Sequence, residues 1–288
     1  MISVLILTFN EEINIAGCIG SLPWHTDIHV LDSCSTDRTR AIAGASSAKV
    51  TVREFTHYAD QRNFGLALPF IHDWIVMLDA DERMTPDLAA EIENVLATVD
   101  ANVAMFRVRR KDIFMGRWLR RSSGYPTWFA RVIRRGRVRV EREINEIYSA
   151  DGIALPLRGH IEHYPFNKGL EWWFTRHNSY STAEARLLLA GERERFRIID
   201  LLSRDPARRR AAQKGIASRV PGRPFLAFLY LYVVRLGFLD GRAGYRYATM
   251  RLAYEIMIDA KAEYAHVAAL EKVSLTTPLP HRHRSKRR

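Results

Sequence analysis

Cysteine is scarce: Cys18 and Cys34 are the only two in 288 residues. Such a pair makes neither a disulfide framework nor a metal-ligand spacing, and it points to a reducing compartment. The chain has no G-x-G-x-x-G stretch and no G-K-[ST] loop, which argues against a dinucleotide fingerprint and a P-loop. No apolar run reaches the roughly 20 residues that a membrane-spanning helix needs. Ile2-Ser3-Val4-Leu5-Ile6-Leu7 is not preceded by a charged n-region and carries no cleavage signal. The expectation is therefore a cytoplasmic protein. There is no RNP sequence, no zinc-finger spacing and no basic region with heptads, so no specific nucleic-acid partner is expected.

What the chain does have is positive charge, +12 in all. It concentrates in Arg107 to Arg142, in Arg204 to Arg223, and in the tail His281-Arg282-His283-Arg284-Ser285-Lys286-Arg287-Arg288. Such clusters attract any polyanion: nucleic acid, an anionic membrane surface or a diphosphate-bearing substrate.

Trp74 to Leu78 is apolar and runs straight into Asp79-Ala80-Asp81-Glu82. A short unbroken apolar run reads as a buried strand of an α/β sheet. Carboxylates at the carboxyl end of such a strand lie where open α/β sheets bind ligands. Two acids one residue apart suit a hard divalent cation that carries a substrate phosphate. A solvated acidic turn after an edge strand is the other reading of the same residues.

Strands and helices alternate along the first hundred residues, which predicts βαβ units and a mostly parallel sheet with flanking helices. Residues 2–8 read as a strand, followed by a helix with Asn10 as N-cap and Ile13, Ala16 and Ile19 toward the sheet. Ile28 to Leu31 is a second strand ending in Asp32, with Asp37 suited to turn and cap duty. Thr8, Asn10 and Glu11 close one strand and Asp32 the next. The right-handed wind puts these ends beside the acidic run, offering hydroxyl, amide and carboxylate groups to a base and ribose. Further on, Trp128 to Arg134 and Arg137 to Glu141 read as a hairpin around Gly136. From Lys168 the pattern is helical. The apolar run Phe225 to Val234 has two readings: a core helix, or a helix lying in a membrane interface.

Thr8-Phe9-Asn10-Glu11-Glu12, Asp32-Ser33-Cys34-Ser35-Thr36-Asp37, Gln61-Arg62-Asn63 and Leu78-Asp79-Ala80-Asp81-Glu82 occur in this order. With this set the chain resembles the family-two glycosyltransferases, of GT-A fold, and most of all their bacterial lipopolysaccharide-core and exopolysaccharide branch. Gly116-Arg117-Trp118-Leu119, Tyr125-Pro126 and Arg235-Leu236-Gly237-Phe238-Leu239-Asp240-Gly241 extend the resemblance over nearly the whole chain. It implies an α/β GT-A domain over 1–165 for nucleotide-sugar binding and catalysis. A helical region over 166–270, on the acceptor or membrane-surface side, and a basic, disordered tail over 271–288 complete the expected layout.

By the same resemblance, Thr8, Asn10, Glu11 and Asp32 hold the nucleoside of a sugar-nucleotide donor, UDP by default, and Arg62 and Asn63 lie near it. Asp81 is a direct ligand of Mg2+ or Mn2+, and Asp79 contacts ribose, sugar, metal or a metal-bound water. The acceptor is a saccharide or a lipid-linked saccharide, met in the cytoplasm or at the inner face of the cytoplasmic membrane. Cys34 stands where many relatives have glycine, and Thr127 where many have aspartate. Inverting transfer needs a carboxylate to take the acceptor proton, and Glu146 is the candidate, although Asn145 precedes it where many relatives carry histidine. Against this stands a plain ion pair of Glu146 with a nearby arginine. A nucleotidyltransferase and a non-catalytic polyanion- or membrane-binding protein on the same fold remain the rival functions. A nucleotidyltransferase would want a basic glycine-rich loop after the first strand, where Thr8 to Glu12 is acidic.

Overall fold

A computed structural model describes residues 2–142, 146–189, 200 and 222–276. Ile144-Asn145, Arg204 to Arg219 and the tail beyond Thr276 lie outside the described residues. The chain divides into two compact units, Met1–Leu170 with Arg235–Gly244, and Glu171–Val234 with Tyr245–Arg288.

The first unit is built on strands whose apolar runs are buried on both faces: β1 (Ile2–Thr8), β2 (Ile28–Asp32) and β4 (Trp74–Asp79). With β3 (Lys49–Val52) they form the parallel part of the sheet, in the order β3-β2-β1-β4. Beyond β4 the sheet continues through β8 (Thr127–Arg134), β6 (Val103–Phe114), β11 (Ile153–His163) and β5 (Glu82–Met84). One face packs under α1 (Ile15–Gly20), α2 (Thr39–Ala45) and α4 (Pro86–Ala97) through Ile15, Cys18, Ala43, Leu88 and Ile92. The other packs under α3 (Tyr58–Leu66) through Ala59 and Leu66, and under Val140. α4 starts where its sequence dictates: Thr85 accepts from Leu88 N, Pro86 opens the first turn and Asp87 faces the helix dipole.

Register fixes the site. Thr8 pairs with Asp32 and Leu7 with Asp79, so the ends of β1, β2 and β4 lie side by side. β4 sits between β1 and β8, which makes it a central strand and not an edge. Glu82 leaves the acidic run at once, enters β5 and is fully buried, so the solvated-turn reading fails.

Two local expectations are corrected. Asn14, not Asn10, is the N-cap residue of α1, and Ile13 and Ala16 are exposed while Ile15, Cys18 and Ile19 face the sheet. The loop runs four residues further because Asn10 takes a left-handed φ of 52° and its side chain is spent on the neighbouring loop. The hairpin around Gly136 does not form: β8 pairs with β4 and β6, whereas β9 (Val138–Glu141) pairs with β10 (Ile147–Ala150). β6 is twelve residues long and carries Arg107, Arg109, Arg110 and Lys111 of the basic stretch.

Residues 235–244 are stitched into the first unit. The buried Asp240 carboxylate accepts from Arg121 N (2.9 Å), Ser122 N (2.8 Å) and Ser122 Oγ (2.8 Å), and Arg235 Nη2 donates to Tyr125 O at 2.7 Å. Gly244 has no alternative here, since a Cβ would fall 2.1 Å from Gly237 O.

The second unit is helical. α5 (Gly169–Leu189) stacks His177 on Trp173 at 3.5 Å, and the imidazole meets Tyr254 edge-on at 5.2 Å. Tyr254 lies on the long α7 (Gly241–Thr276), whose Lys261 Nζ donates to Asn178 O and Oδ1 at 2.6 Å. α6 (Arg223–Leu229) runs on as a π turn over Tyr230–Val234, and Arg223 pairs with Glu255 and Asp259 of α7. Phe225, Leu226, Leu229, Tyr230, Val233 and Val234 are 44–68% exposed and only Pro224 of the segment is buried. Among the described residues this run is not a core helix. No single helix among them is long and apolar enough to cross a membrane.

Candidate active site

The β1 and β2 ends are sewn to each other. Thr8 Oγ1 donates to Asp32 Oδ2 at 2.8 Å, and Ser35 N donates to Asp32 Oδ1 at 2.8 Å. Asn10 N donates to Ser35 Oγ and Asn10 Oδ1 accepts from Thr36 N, both at 2.8 Å. Cys34 has a φ of 63°, the left-handed conformation that glycine adopts without cost. Asp37 accepts from Thr39 N and Glu12 N, which is the turn and cap duty expected of it. Asp32 is wholly buried, and its hydrogen bonds shape this rim.

Glu11 is buried beside the rim. Its Oε1 lies 2.5 Å from Lys168 Nζ and its Oε2 accepts from Asn14 Nδ2 at 2.8 Å. Burial, followed by the negative charge of Asp81, pushes the Glu11 carboxyl above its usual range. Lys168 was not singled out in the sequence, where it is one cation among 44.

The acidic run divides among three environments. Asp79 is gripped by Arg62 Nη2 (3.2 Å) and Arg131 Nη2 (2.8 Å). Burial works to raise its pKa, but the two guanidinium charges outweigh burial and hold the carboxyl well below the usual range. Glu82 Oε1 lies 2.8 Å from Arg131 Nη2 and Glu82 Oε2 accepts from Asp79 N, so this third acid is a fastener for the strand end. Asp81 Oδ2 lies 3.3 Å from His163 Nε2, and His163 Nδ1 donates to Asp112 Oδ1 at 2.7 Å. Burial disfavours the charged imidazole, but Asp81 and Asp112 outweigh it and raise the His163 pKa to about 9.

Among the described residues no three His, Cys, Asp or Glu side chains converge to hold a metal ion. The pair Asp81 and His163 nevertheless fits a divalent cation that takes its remaining ligands from a diphosphate and water. Two adjacent ligands of one such cation stand about 3 Å apart. Asp112 behind Nδ1 is the carboxylate–histidine support that orients metal-binding imidazoles. His163 carries no periodic or motif signal of its own; only the fold brings it to Asp81.

α3 supplies the link to the base candidate. Arg62, buried, donates through Nε to Glu146 Oε1 at 3.1 Å while its Nη2 holds Asp79. The ion pair set against a catalytic role for Glu146 is therefore present, and it seats Glu146 one guanidinium from the acidic run. Asn63 spends both ends of its amide on one backbone: Nδ2 donates to Val140 O and Oδ1 accepts from Val140 N, each at 2.8 Å. These bonds fix β9 onto α3.

A mixed α/β sheet thus gathers hydroxyl, amide and acid groups at adjoining parallel strand ends, with an acid pair beside arginines. Residues 3–161 match Glycosyl transferase family 2, over half of the chain, and the chain belongs to that family. It is similar to an uncharacterized glycosyltransferase of Rickettsia conorii, 40% identical over 98 residues, 34% of each chain. Thus it spans about a third of the length of the rickettsial relatives it matches. It is also similar to the lipopolysaccharide core biosynthesis glycosyltransferase LpsC of Rhizobium meliloti, 28% identical over 205 residues, 68% of this chain and 74% of that one. A solved glucosyl-3-phosphoglycerate synthase from Mycobacterium tuberculosis, in complex with Mn2+, UDP and glucosyl-3-phosphoglycerate, is 27% identical over 38% of this chain and 44% of that one, with a TM-score of 0.34.

Proposed function

We propose that the chain moves a sugar from a nucleotide-sugar donor, by default a UDP-sugar, to a hydroxyl of a saccharide or lipid-linked saccharide in bacterial lipopolysaccharide or cell-surface polysaccharide assembly. One observation carries the reading: a single guanidinium, Arg62, bonds both Asp79 and Glu146. Inverting displacement wants a leaving-group site and a base on either side of one anomeric carbon, and Arg62 joins one acid of the strand end to the base candidate. Thr8, Asn10, Glu11 and Asp32 shape the nucleoside rim. Mg2+ or Mn2+, held by Asp81 with His163 and with Asp79 nearby, would neutralise the departing nucleoside diphosphate. Glu146 takes the proton of the acceptor hydroxyl as its oxygen bonds the anomeric carbon, and the electron pair of the breaking C–O bond leaves with the diphosphate. The similarity to LpsC supports the lipopolysaccharide setting. The exposed apolar run Phe225 to Val234 supports a peripheral position on a membrane surface.

Replacing Glu146 by Gln tests the assignment. UDP-sugar binding is expected to persist while kcat falls about 10²- to 10⁴-fold, the usual contribution of a positioned general base. Transfer at the wild-type rate would remove Glu146 from the mechanism.

A further inference from the structure

β6 carries two sets of charged side chains, because successive residues of a strand point to opposite faces. Arg110 and Asp112 turn to Glu82 and His163 and belong to the site above. Arg109 and Lys111, between and beside them, take the other face. There Lys111 Nζ lies 4.4 Å from the centre of the Trp118 ring, and Arg120 lies over the same ring at 5.5 Å. Arg109 stands 5.6 Å over Trp128, its register partner on β8. His160 of β11 pairs in register with Arg109, and Glu162 with Lys111.

The charge of this cluster is not balanced from within. None of Arg109, Lys111 and Arg120 makes an ion pair within 4.0 Å among the described residues. Glu162, the acid in register with Lys111, already accepts from Tyr164 OH at 2.7 Å. Burial, then the neighbouring cations Arg109 and Arg120 acting against Glu162, lowers the Lys111 pKa. Burial and Lys111 likewise lower that of His160. Two donors, Arg109 Nε and Trp118 Nε1, are buried without a hydrogen-bond partner. A buried donor left without a partner is costly, and here two of them sit in a crowd of cations. What the cluster lacks is a compact group rich in oxygen lone pairs and negative charge. Along β11, Glu162, in register with Lys111, is the sequence neighbour of His163, which faces Asp81.

We propose that Arg109, Lys111 and Arg120, with Trp118 as a platform, form a binding site for a phosphate monoester. On the reading of the chain as a glycosyltransferase, on which this last step rests, that phosphate belongs to the acceptor.

The test is a thermal-shift titration of the full chain at fixed ionic strength. The probes are mannose 6-phosphate, mannose, and phosphatidylcholine vesicles with and without phosphatidic acid; UDP with Mn2+ serves as a separate donor probe. Mannose 6-phosphate is expected to stabilise the protein and mannose to leave it unchanged. In the double variant K111M/R120Q the midpoint concentration for mannose 6-phosphate should rise at least about tenfold, since one charged hydrogen bond alone accounts for that factor. The UDP shift should survive in the variant, which shows that it is folded. A response to phosphatidic acid alone, lost in the variant, keeps the site and assigns it to a lipid head group. Equal responses of wild type and variant, or no response to either phosphate, overturn the site. A wild type that binds phosphate but not UDP overturns the UDP-sugar donor and leaves the site standing.

Discussion

Asn63 separates two accounts of the same residue: a donor contact, as the family resemblance implies, or a fastener, as its hydrogen bonds imply. Asn63→Ala removes two hydrogen bonds, to Val140 O and from Val140 N, both 2.8 Å and both partly buried. Each is worth about 1 kcal/mol net, so the pair amounts to about 2 kcal/mol. For a unit of this size that corresponds to a fall in Tm of roughly 4–8 °C. Val140 is the buried residue of β9, β9 carries β10, and Glu146 immediately precedes β10. Loosening the β9–β10 ribbon should therefore lower kcat, with Kd for the sugar nucleotide changed less than about twofold. Calorimetric melting and single-turnover kinetics on the same preparation read both quantities. If Tm holds while nucleotide affinity drops tenfold or more, Asn63 touches the donor and the fastening argument is wrong.

The Asp81–His163 pair should make UDP binding cation-dependent: with Mn2+ at saturation UDP is expected to raise Tm, by about 2.7 kcal/mol of stabilisation at a hundred times Kd. Asp81→Asn should cancel the Mn2+ increment, and an undiminished increment would remove Asp81 as a ligand. His177 sets a pH dependence in the helical unit, because burial lowers its pKa from 6.5 to about 4. The unfolded chain takes up that proton below about pH 6.5 and the folded chain only near 4, so the contribution is whole above 6.5 and is lost as pH falls. Discounted for partial exposure, it amounts to about 1–2 kcal/mol. Urea midpoints at pH 7.5 and 5 should differ more in wild type than in His177→Gln, and equal differences would refute the assignment. Vesicle flotation should show binding to anionic liposomes that is lost when Phe225 and Val234 become Ser; no association in the wild type would end the interfacial reading.

The parallel half of the sheet was legible because its strands obey a local rule. Ile75 to Leu78 is apolar without a gap and Ile28 to Leu31 is broken only by His29, and each ends in an acid that parallel winding must carry to one edge. The helix entry after β1 was misread because Asn10 is a good cap by type. Its amide is claimed by Thr36 N, a bond from another loop that no local pattern reveals. The hairpin around Gly136 failed for a related reason. The turn is real, with Gly136 at a φ of 76°, but the choice of strand partner is tertiary, and β8 is taken by β4 and β6. The exposure of Phe225 to Val234 was undecidable from composition, since a core helix and an interfacial one are spelled alike.

The active-site acids were legible and their cations were not, and physical chemistry says why. Carboxylates as close as Asp79, Asp81 and Glu82 cannot all be buried and ionised without compensating charge. The sequence thus demands partners but does not say which of 44 basic residues they are. The fold answers with Arg62 and Arg131 for Asp79, Arg131 for Glu82 and His163 for Asp81. That allocation also ranks the two acids of the pair. Asp79 is already compensated by two guanidiniums, and a dication brought against it would have to compete with both at close range. Asp81 faces an imidazole, which exchanges its proton for a metal as a guanidinium cannot. On the proposed function, a cation would therefore fall to Asp81 with His163, while Asp79 shares Arg62 with Glu146.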